Sequence, residues 1–282
     1  MSGSETISPT AHYTGYVWFR NGLSDPALAT RQGRILFESL QGAALVSRAL
    51  GGPTLEGYLL ARHVAIDALL TAAIERDGIT QVLEVAAGLS PRGLRFHRRY
   101  GDRLTYVEAD LPDMAARKER ALARAQSLDA HHRVAVIDAL ADSGEHSLHA
   151  LATDLEPSAG LVIITEGLLG YLPTPEVTRL WWRCAQTLSG FDAGRYLSDL
   201  HLGGVQTPAV RAFRVLLSAF VRGSVHLHYD DAQAAQDALR QAGLTRASVR
   251  RAADIVAESE HPARASGPGA GLAHIIEAST KT

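Results

Sequence analysis

The chain has 282 residues, 46% hydrophobic and 21% charged, which is enough to bury a full core in one large domain. Its formal net charge of -2 gives no basic field, which argues against a nucleic-acid partner. The single cysteine, Cys184, cannot form an internal disulfide, as is typical of a cytoplasmic protein. We find no pattern of a secretion signal and no apolar run long enough to span a bilayer, so we expect no membrane partner.

The N-terminal part predicts helices that precede the main sheet. Residues 1–10 are small and polar and predict a loose tail, whereas residues 12–20 are dense in aromatics. The aromatic segment has two interpretations, a hydrophobic flap packed on the domain or a lid that closes over a ligand and excludes water. Two helical patterns follow, and the second begins at a predicted N-cap, Thr54, and ends at Gly78.

Residues 81–95 form the stretch around which the chain is organised. A short apolar run predicts a buried strand of a parallel sheet, and a helix resumes after Pro91. The turn between them, Ala86, Ala87 and Gly88, has small side chains that let a ligand approach the backbone closely. In an open α/β sheet such a turn lies at the carboxyl end of a strand, where these folds bind nucleotides.

Strands alternate with helices after this turn, which predicts a doubly wound α/β sheet. The further strands are predicted at residues 104–110, 132–138, 161–166 and 195–200. Glu108 and Asp110 end the first of these about 20 residues beyond the turn, where an acid can accept the hydroxyls of a ribose. Ordinary solvation of a strand end is the alternative. The basic run at residues 92–99 is typical of a solvated helix face.

The last third of the sequence is less regular. Helices are predicted at residues 208–221 and 230–242, and an antiparallel hairpin at residues 245–251 and 273–278. We divide the chain into an N-terminal tail with a helical lid segment, residues 1–77, and an α/β domain, residues 78–282. A substrate-cap insertion is predicted within that domain at about residues 201–242.

Three predicted strand tips occur together in this chain. They are Glu84-Val-Ala-Ala-Gly88, Glu108-Ala-Asp-Leu-Pro112 and Thr165-Glu-Gly-Leu-Leu-Gly-Tyr171. In combination, and with Lys118 after the second, they resemble the leucine carboxyl methyltransferase family of class I S-adenosylmethionine (SAM) methyltransferases, most of all its tetracenomycin-type polyketide O-methyltransferases. The resemblance covers nearly the whole chain. It implies a Rossmann-like, doubly wound seven-stranded sheet with an N-terminal helical lid and a terminal antiparallel hairpin.

The resemblance also implies where the cofactor SAM binds. Arg62 would hold the SAM carboxylate, and Arg20 is the nearest match to a basic N-terminal residue that reaches SAM in relatives. The other implied cofactor residues are Glu84 and the turn Ala86, Ala87 and Gly88 for the amino acid part, Glu108 and Asp110 for the ribose, Asp138 and Ala139 for the adenine, and Glu166 after the fourth strand.

The chain departs from the family pattern at three places. Ala86 replaces the first glycine of the turn, and Ala139 replaces a leucine beside the adenine. Ser90-Pro91-Arg92 stands where relatives have Asp-Thr-Arg, which keeps the arginine and loses the acid. The glycine spacing does not make Gly-x-Gly-x-x-Gly, so we expect no nicotinamide dinucleotide. The sequence has no metal-binding motif either, and we expect no metal.

Methyl transfer from SAM is an in-line displacement, so the protein must chiefly align the acceptor and exclude water. The aromatic residues expected around the reactive carbon are Tyr13, Tyr16, Trp18 and Tyr171. A carboxylate acceptor is already ionised at neutral pH, whereas a phenol needs a general base. The candidate bases are His201, His226 and His228, and a structural or surface role is the alternative for each. We assign catalytic roles to Tyr171 and His201 and substrate contacts to the others.

We therefore expect a cytoplasmic, SAM-dependent O-methyltransferase of secondary metabolism that methyl-esterifies a carboxylate of a small natural-product substrate. Two alternatives stay open. One is a cyclase that consumes SAM by intramolecular displacement, giving a four-membered ring amino acid and methylthioadenosine, because its binding residues would be nearly the same. The other is a non-catalytic SAM-binding protein. The sequence leaves the oligomeric state open.

Overall fold

The computed structural model describes residues 9–204, 211, 226–259 and 267–281. Seven strands form one mixed sheet in the order β3-β2-β1-β4-β5-β7-β6. They are β1 (Gln81–Val85), β2 (Thr105–Asp110), β3 (His132–Val136), β4 (Leu161–Thr165), β5 (Gly194–Leu200), β6 (Arg246–Arg251) and β7 (His274–Ser279). The first five strands are parallel, and β7 lies antiparallel between β5 and β6. The predicted doubly wound sheet with a terminal antiparallel pair is confirmed.

Nine α-helices flank this sheet in the part of the chain that the structure describes. They are α1 (Pro9–Arg20), α2 (Arg31–Ala49), α3 (Leu55–Glu75), α4 (Arg92–Tyr100), α5 (Pro112–Arg124), α6 (Leu148–Ala152), α7 (Thr174–Ser189), α8 (Ala232–Gln241) and α9 (Ala252–Ala257). Helix α9, which joins β6 to β7, was not predicted because its six residues are too few to show a helical period. The helix predicted at residues 208–221 lies outside the described residues, apart from residue 211.

Helix caps decide where several of these elements begin. The hydroxyl of Thr54 accepts a hydrogen bond from the Gly57 amide at 3.1 Å, which confirms the predicted N-cap of α3. At α7, Pro173 takes the N-cap position and Thr174 is the first helical residue. The Thr174 hydroxyl instead lies 3.1 Å from Nδ1 of His228. It thereby joins α7 to the segment that precedes α8.

Alternate side chains of the strands pack against the two helical layers. Val82 and Ile164 face the layer that contains α1, α3 and α9, while Leu83 and Ile163 face the layer of α6, α7 and α8. Helix α3 is long and apolar enough to cross a membrane by length and composition alone. However, 67% of its most apolar window is buried inside the protein, as a core helix shows.

Because β1, β2, β4 and β5 are parallel, their carboxyl ends meet at one edge of the sheet. The order of the strands reverses between β1 and β4, which is where open α/β sheets leave a crevice for ligands. Helix α1 contacts α2 and α3. The division at residues 77 and 78, and the cap insertion, stay predictions, since much of the insertion lies outside the described residues.

Candidate active site

A cavity of about 460 Å³ opens at this edge of the sheet. Its lining comes from the roof helix α1 (Thr10, Ala11, Thr14, Trp18), from α3 (Arg62), from β1 and its turn (Glu84, Ala86, Ala87, Gly88, Leu89, Ser90), from the end of β2 (Asp110, Leu111, Pro112, Asp113, Met114) and from the segment after β4 (Glu166, Gly167, Leu168, Tyr171). The volume is in the range of small-molecule sites, roughly 300–1,000 Å³.

The turn after β1 is held from two directions. The Gly88 amide donates to Oδ2 of Asp110 at 2.7 Å. From the other direction, Nζ of the buried Lys118 donates to the carbonyls of Ser90, at 2.6 Å, and Gly88, at 3.3 Å. Gly88 has φ +50° and Ala86 has φ +55°, so an alanine here occupies the left-handed region that favours glycine. The backbone of the turn is thus fixed in a sharply bent form against the cavity.

Asp110 lies on the cavity, and its carboxylate accepts hydrogen bonds only from backbone amides among the described residues. It accepts from the amides of Gly88 and Leu111, at 2.7 and 2.8 Å. Burial raises the pKa of Asp110, and the two amide donors partly offset that rise. Each carboxylate oxygen keeps further acceptor capacity, which suits it to receive the hydroxyls of a ribose.

Arg62 lies between two acids, at the end of the cavity opposite to Asp110. Its Nε atom is 3.0 Å from Oε1 of Glu166, and its Nη1 atom is 3.1 Å from Oδ2 of Asp199. Its Nη2 atom has no hydrogen-bond acceptor among the described residues. Nη2 borders Gly167, where an added Cβ would approach it to 2.9 Å. This free edge of the guanidinium can receive a ligand carboxylate.

Beneath the cavity floor, Arg92 ties three carboxylates together. It lies 2.7 Å from Asp67 and 2.5 Å from both Glu84 and Glu166. Arg92 is fully buried, so the expectation that it belongs to a solvated helix face is wrong. Its guanidinium instead points inward from the first turn of α4, where the acids of β1 and α3 neutralise it.

His63 completes this network as a neutral imidazole. Its Nδ1 atom is 2.8 Å from Oε2 of Glu166, and its Nε2 atom is 2.8 Å from the donor Nη2 of Arg95. Nε2 can accept only from Arg95, whereas Nδ1 also lies 2.9 Å from the donor Nη2 of Arg92. Burial lowers the pKa of His63, and the charge of Arg92 lowers it further. Burial would raise the pKa of Glu166, but His63 and Arg92 outweigh it and hold that pKa well below its usual value.

Glu108 was predicted at the ribose, and the structure places it elsewhere. It is fully buried, ion-paired with Lys118 and 2.8 Å from Nε2 of His132. Gly93 of α4 packs directly on its carboxylate, where a Cβ would collide with Oε1. Glu108 lies two residues before the strand tip, so helices α4 and α5 cover it and only Asp110 reaches the cavity.

Three predicted residues of α1 do not line the cavity. Tyr13 and Tyr16 pack on Phe37 of α2, with ring centroids 5.9 and 5.4 Å apart. Arg20, at the exposed end of α1, lies over the same ring at 5.2 Å. The helical period explains the difference, because only Trp18 of these four side chains faces the cavity while the others face α2.

Asp138 and Ala139, the residues predicted to frame the adenine, also lie outside the cavity lining. Asp138 is exposed, and its Oδ1 atom accepts from the Leu140 amide at 2.9 Å, closing a turn after β3. Strand β3 ends at Val136, two residues before the predicted end. The segment from Leu111 to Met114 lines that side of the cavity instead.

Of the four predicted catalytic or base residues, Tyr171 alone lines the cavity, where it is 39% exposed at the mouth. His226 and His228 brace the turn that carries it, through the His226 amide to the Gly170 carbonyl and Nε2 of His228 to the Leu169 carbonyl. His201 stacks on Tyr58 with ring centroids 5.5 Å apart, behind the acids that flank Arg62. The three histidines therefore support the site without lining it.

Sequence reasoning missed the residues that build the charged floor, His63, Asp67 and Asp199. A partial signal existed for His63 and Asp67, which are polar residues in the middle of the largely apolar helix α3. Asp199 accepts from the Gly167 amide at 2.6 Å as well as from Arg62, so it shapes the segment after β4. No group of three or more His, Cys, Asp or Glu side chains in the described ranges is placed to hold a metal ion.

Comparison with known proteins gives the family. A sequence profile of leucine carboxyl methyltransferases matches residues 26–184, more than half of the chain. Among solved structures, a candidate methyltransferase from Thermobifida fusca YX is 15% identical, with 99% of this chain and 97% of that chain covered and a TM-score of 0.68. A DUF574 family protein from Streptomyces avermitilis MA-4680 is 12% identical over 98% of both chains, TM-score 0.63. No curated protein matched the sequence.

A third structure, PigF with S-adenosylhomocysteine (SAH), is 14% identical over 75% of this chain and 54% of that chain, TM-score 0.50. Independently of these comparisons, the geometry of the described residues fits SAM. Arg62 offers an unpaired guanidinium edge for a carboxylate, Asp110 offers acceptors for a ribose, and a small-residue turn lies between them. The profile match and this site together show that the chain belongs to the leucine carboxyl methyltransferase family and is a SAM-dependent methyltransferase.

Proposed function

We propose that this enzyme transfers the methyl group of SAM to an oxygen of a small organic carboxylate and forms a methyl ester. We also propose that the substrate is a natural-product acid of polyketide type, and that the enzyme works in the cytoplasm. The carboxylate assignment rests on Glu84 and Glu166, the two acids on the cavity floor, because both are already engaged by neighbouring donors.

Glu166 accepts from Arg62, Arg92 and His63, and the pKa of its carboxyl is held well below the usual value in spite of burial. Glu84 is bound by Arg92 at 2.5 Å and by the Tyr106 hydroxyl at 2.6 Å. With its pKa held so low, the Glu166 carboxylate is a poor base for an acceptor near neutral pH. An acceptor that arrives already ionised needs no such proton transfer, and a carboxylic acid meets this condition.

The chain's own contribution is positioning. When bound, SAM supplies an activated methyl group on a sulfonium cation. Arg62 would hold its carboxylate and Asp110 its ribose, while Trp18 and Thr14 of α1 cover the cavity and exclude water. Tyr171 borders the mouth, where its ring can pack against the acceptor.

Product analysis tests the proposal. The purified protein is incubated with SAM alone, and then with SAM and a panel of aromatic and aliphatic carboxylic acids. Matched panels present the same skeletons as phenols. We expect SAH and a methyl ester to form only with a carboxylic acid. Methylthioadenosine formed from SAM alone would show the cyclase instead, and methylation of phenols alone would contradict the carboxylate assignment.

A further inference from the structure

The segment between β4 and α7 carries two different parts of the site. Glu166, directly after β4, lies on the cavity floor, where Arg62 and Arg92 bind its carboxylate. Tyr171, further along the same segment, lines the mouth and is 39% exposed. A half-exposed ring receives little support from packing, so its position depends on the backbone turn that carries it.

That turn is a single turn of 3-10 helix, Leu169–Tyr171, and His228 holds it. Nε2 of His228 lies 2.9 Å from the Leu169 carbonyl, and Nδ1 lies 3.1 Å from the hydroxyl of Thr174, the first residue of α7. Because a carbonyl only accepts, Nε2 carries the proton, and in the neutral ring Nδ1 accepts from the hydroxyl. One side chain thus ties the turn to α7.

The backbone that presents His228 is itself fixed. The ring of Tyr229 stacks on that of Trp181, a fully buried residue of α7, with centroids 5.7 Å apart. The Tyr229 carbonyl accepts from the Gly203 amide at 2.8 Å, which joins this segment to the end of β5. His228 therefore reaches the turn from a rigid base, and its contact with Leu169 can set where Tyr171 lies.

The contacts of His228 differ from those of a general base or a substrate contact. Both of its ring nitrogens are already engaged, and it is not among the described residues that line the cavity. We propose that His228 is a positioning residue for the methyl acceptor, which sets acceptor affinity through Tyr171 and leaves cofactor affinity unchanged. The inference rests on the proposed function, in which Tyr171 packs against the acceptor.

Two substitutions separate the hydrogen bonds of His228 from its bulk. His228→Leu fills a similar space without a donor, whereas His228→Gln keeps a donor for the Leu169 carbonyl. The amides of Tyr171 and Leu172 close the turn, so their hydrogen exchange reports whether it opens. We expect about fivefold faster exchange in His228→Leu, as for the loss of one hydrogen bond, and nearly wild-type exchange in His228→Gln.

The cofactor end provides the internal control. Exchange at the Gly88 amide, which bonds to Asp110, and SAH affinity by calorimetry should stay within about twofold of the wild type in both variants. Faster exchange at Gly88 or weaker SAH binding in His228→Leu would indicate a general structural role and overturn the proposal. Unchanged exchange at Tyr171 would overturn it too.

Kinetics with the compound of the test panel that is methylated fastest, acid or phenol, measures the consequence for the acceptor. In His228→Leu we expect the KM for that compound to rise about fivefold or more, with kcat and the KM for SAM within about twofold. His228→Gln should recover most of the loss. His146→Leu, at an exposed position, is the matched control. A fall in kcat with unchanged KM, or no recovery in His228→Gln, would contradict positioning.

The methyl ester proposal and this one fail separately. An enzyme that methylates only phenols would still show the selective rise in KM, measured with a phenol. An enzyme that forms methyl esters, but whose His228→Leu variant keeps the wild-type KM for the acid, would retain its function and lose this role for His228. Methylthioadenosine as the only product would overturn both.

Discussion

Nη2 of Arg92 lies 2.5 Å from Oε2 of Glu166, with both side chains buried beneath the cavity. The same guanidinium holds Glu84 through Nη1. One arginine from the helix after the turn thus fixes acids from two different strands at the carboxyl edge of the sheet. Burial would lower the pKa of Arg92, but Glu84 and Glu166 raise it well above its usual value. The floor of the site is consequently a set of fixed charges.

Arg62 should contribute to cofactor affinity. Arg62→Lys keeps the charge between Glu166 and Asp199 but loses the guanidinium edge. We expect SAH binding to weaken by about 1.5–3 kcal/mol, measured by calorimetry. Arg62→Ala should weaken it at least as much and also destabilise the fold by about 3–5 kcal/mol, because two buried acids lose their partner. Arg20→Ala is the control, and a loss of affinity there equal to that of Arg62→Lys would contradict the geometry.

Ala86 should carry backbone strain. At φ +55° a non-glycine residue costs about 1–2 kcal/mol. Glycine removes this cost, but it loses more conformational entropy on folding, which offsets part of the gain. Ala86→Gly should therefore stabilise the protein by about 0.5–1 kcal/mol in urea denaturation. Gln126→Gly, at φ +51°, provides a control away from the cavity with the same expected gain. Destabilisation by Ala86→Gly alone would mean that the methyl group packs favourably in the site.

Lys118 should position the turn that follows β1. Lys118→Met leaves Glu108 buried without its ammonium partner, for a loss of about 3–5 kcal/mol in stability. Adding Glu108→Gln removes that charge and should recover part of the loss. The double variant should still bind SAH more weakly than the wild type, because the carbonyls of Gly88 and Ser90 lose their donor. Wild-type SAH affinity in the double variant would show that the turn holds itself.

The stability of the protein should decrease as the pH is lowered below about 6.5. Burial lowers the pKa of His63 from 6.5 in the folded protein, so the unfolded chain takes up its proton first. The contribution of neutral His63 to the free energy of unfolding is fully present above pH 6.5. It is lost as the pH falls through 6.5 toward the pKa of the folded state, by at most about 1.4 kcal/mol per pH unit for one proton. Urea midpoints at pH 7.5, 6.5 and 5.5 measure this.

His63→Gln should flatten that pH dependence, since glutamine can donate to Glu166 without titrating. His146→Gln, at an exposed position, should leave the slope unchanged. Burial also lowers the pKa of His12, His228 and His274, so part of the slope should persist in His63→Gln. An identical slope in the wild type and His63→Gln would exclude His63 as a source.

The sequence predicts the strand tips because the apolar runs and turns recur at regular spacing. Asp110 and the turn residues follow from their place at the ends of strands. Glu108 and Asp110 could not be separated, because they are two residues apart and point to the same face of β2, and only packing by α4 decides which is covered. The pairing of Arg92 with Glu166 joins residues 74 positions apart, which no local pattern encodes.

The insertion of β7 between β5 and β6 has a consequence for biosynthesis. Asp199, the β5 acid that holds Arg62, is paired in the sheet with Ile275, which is synthesised much later. Until β7 has left the ribosome, β5 has an open edge and β6 has no strand to pair with. The half of the sheet around β1 and β2 can assemble before that point, whereas the wall that fixes Arg62 closes only after β7 has followed. The nascent chain would thus acquire cofactor affinity only once β7 is in place.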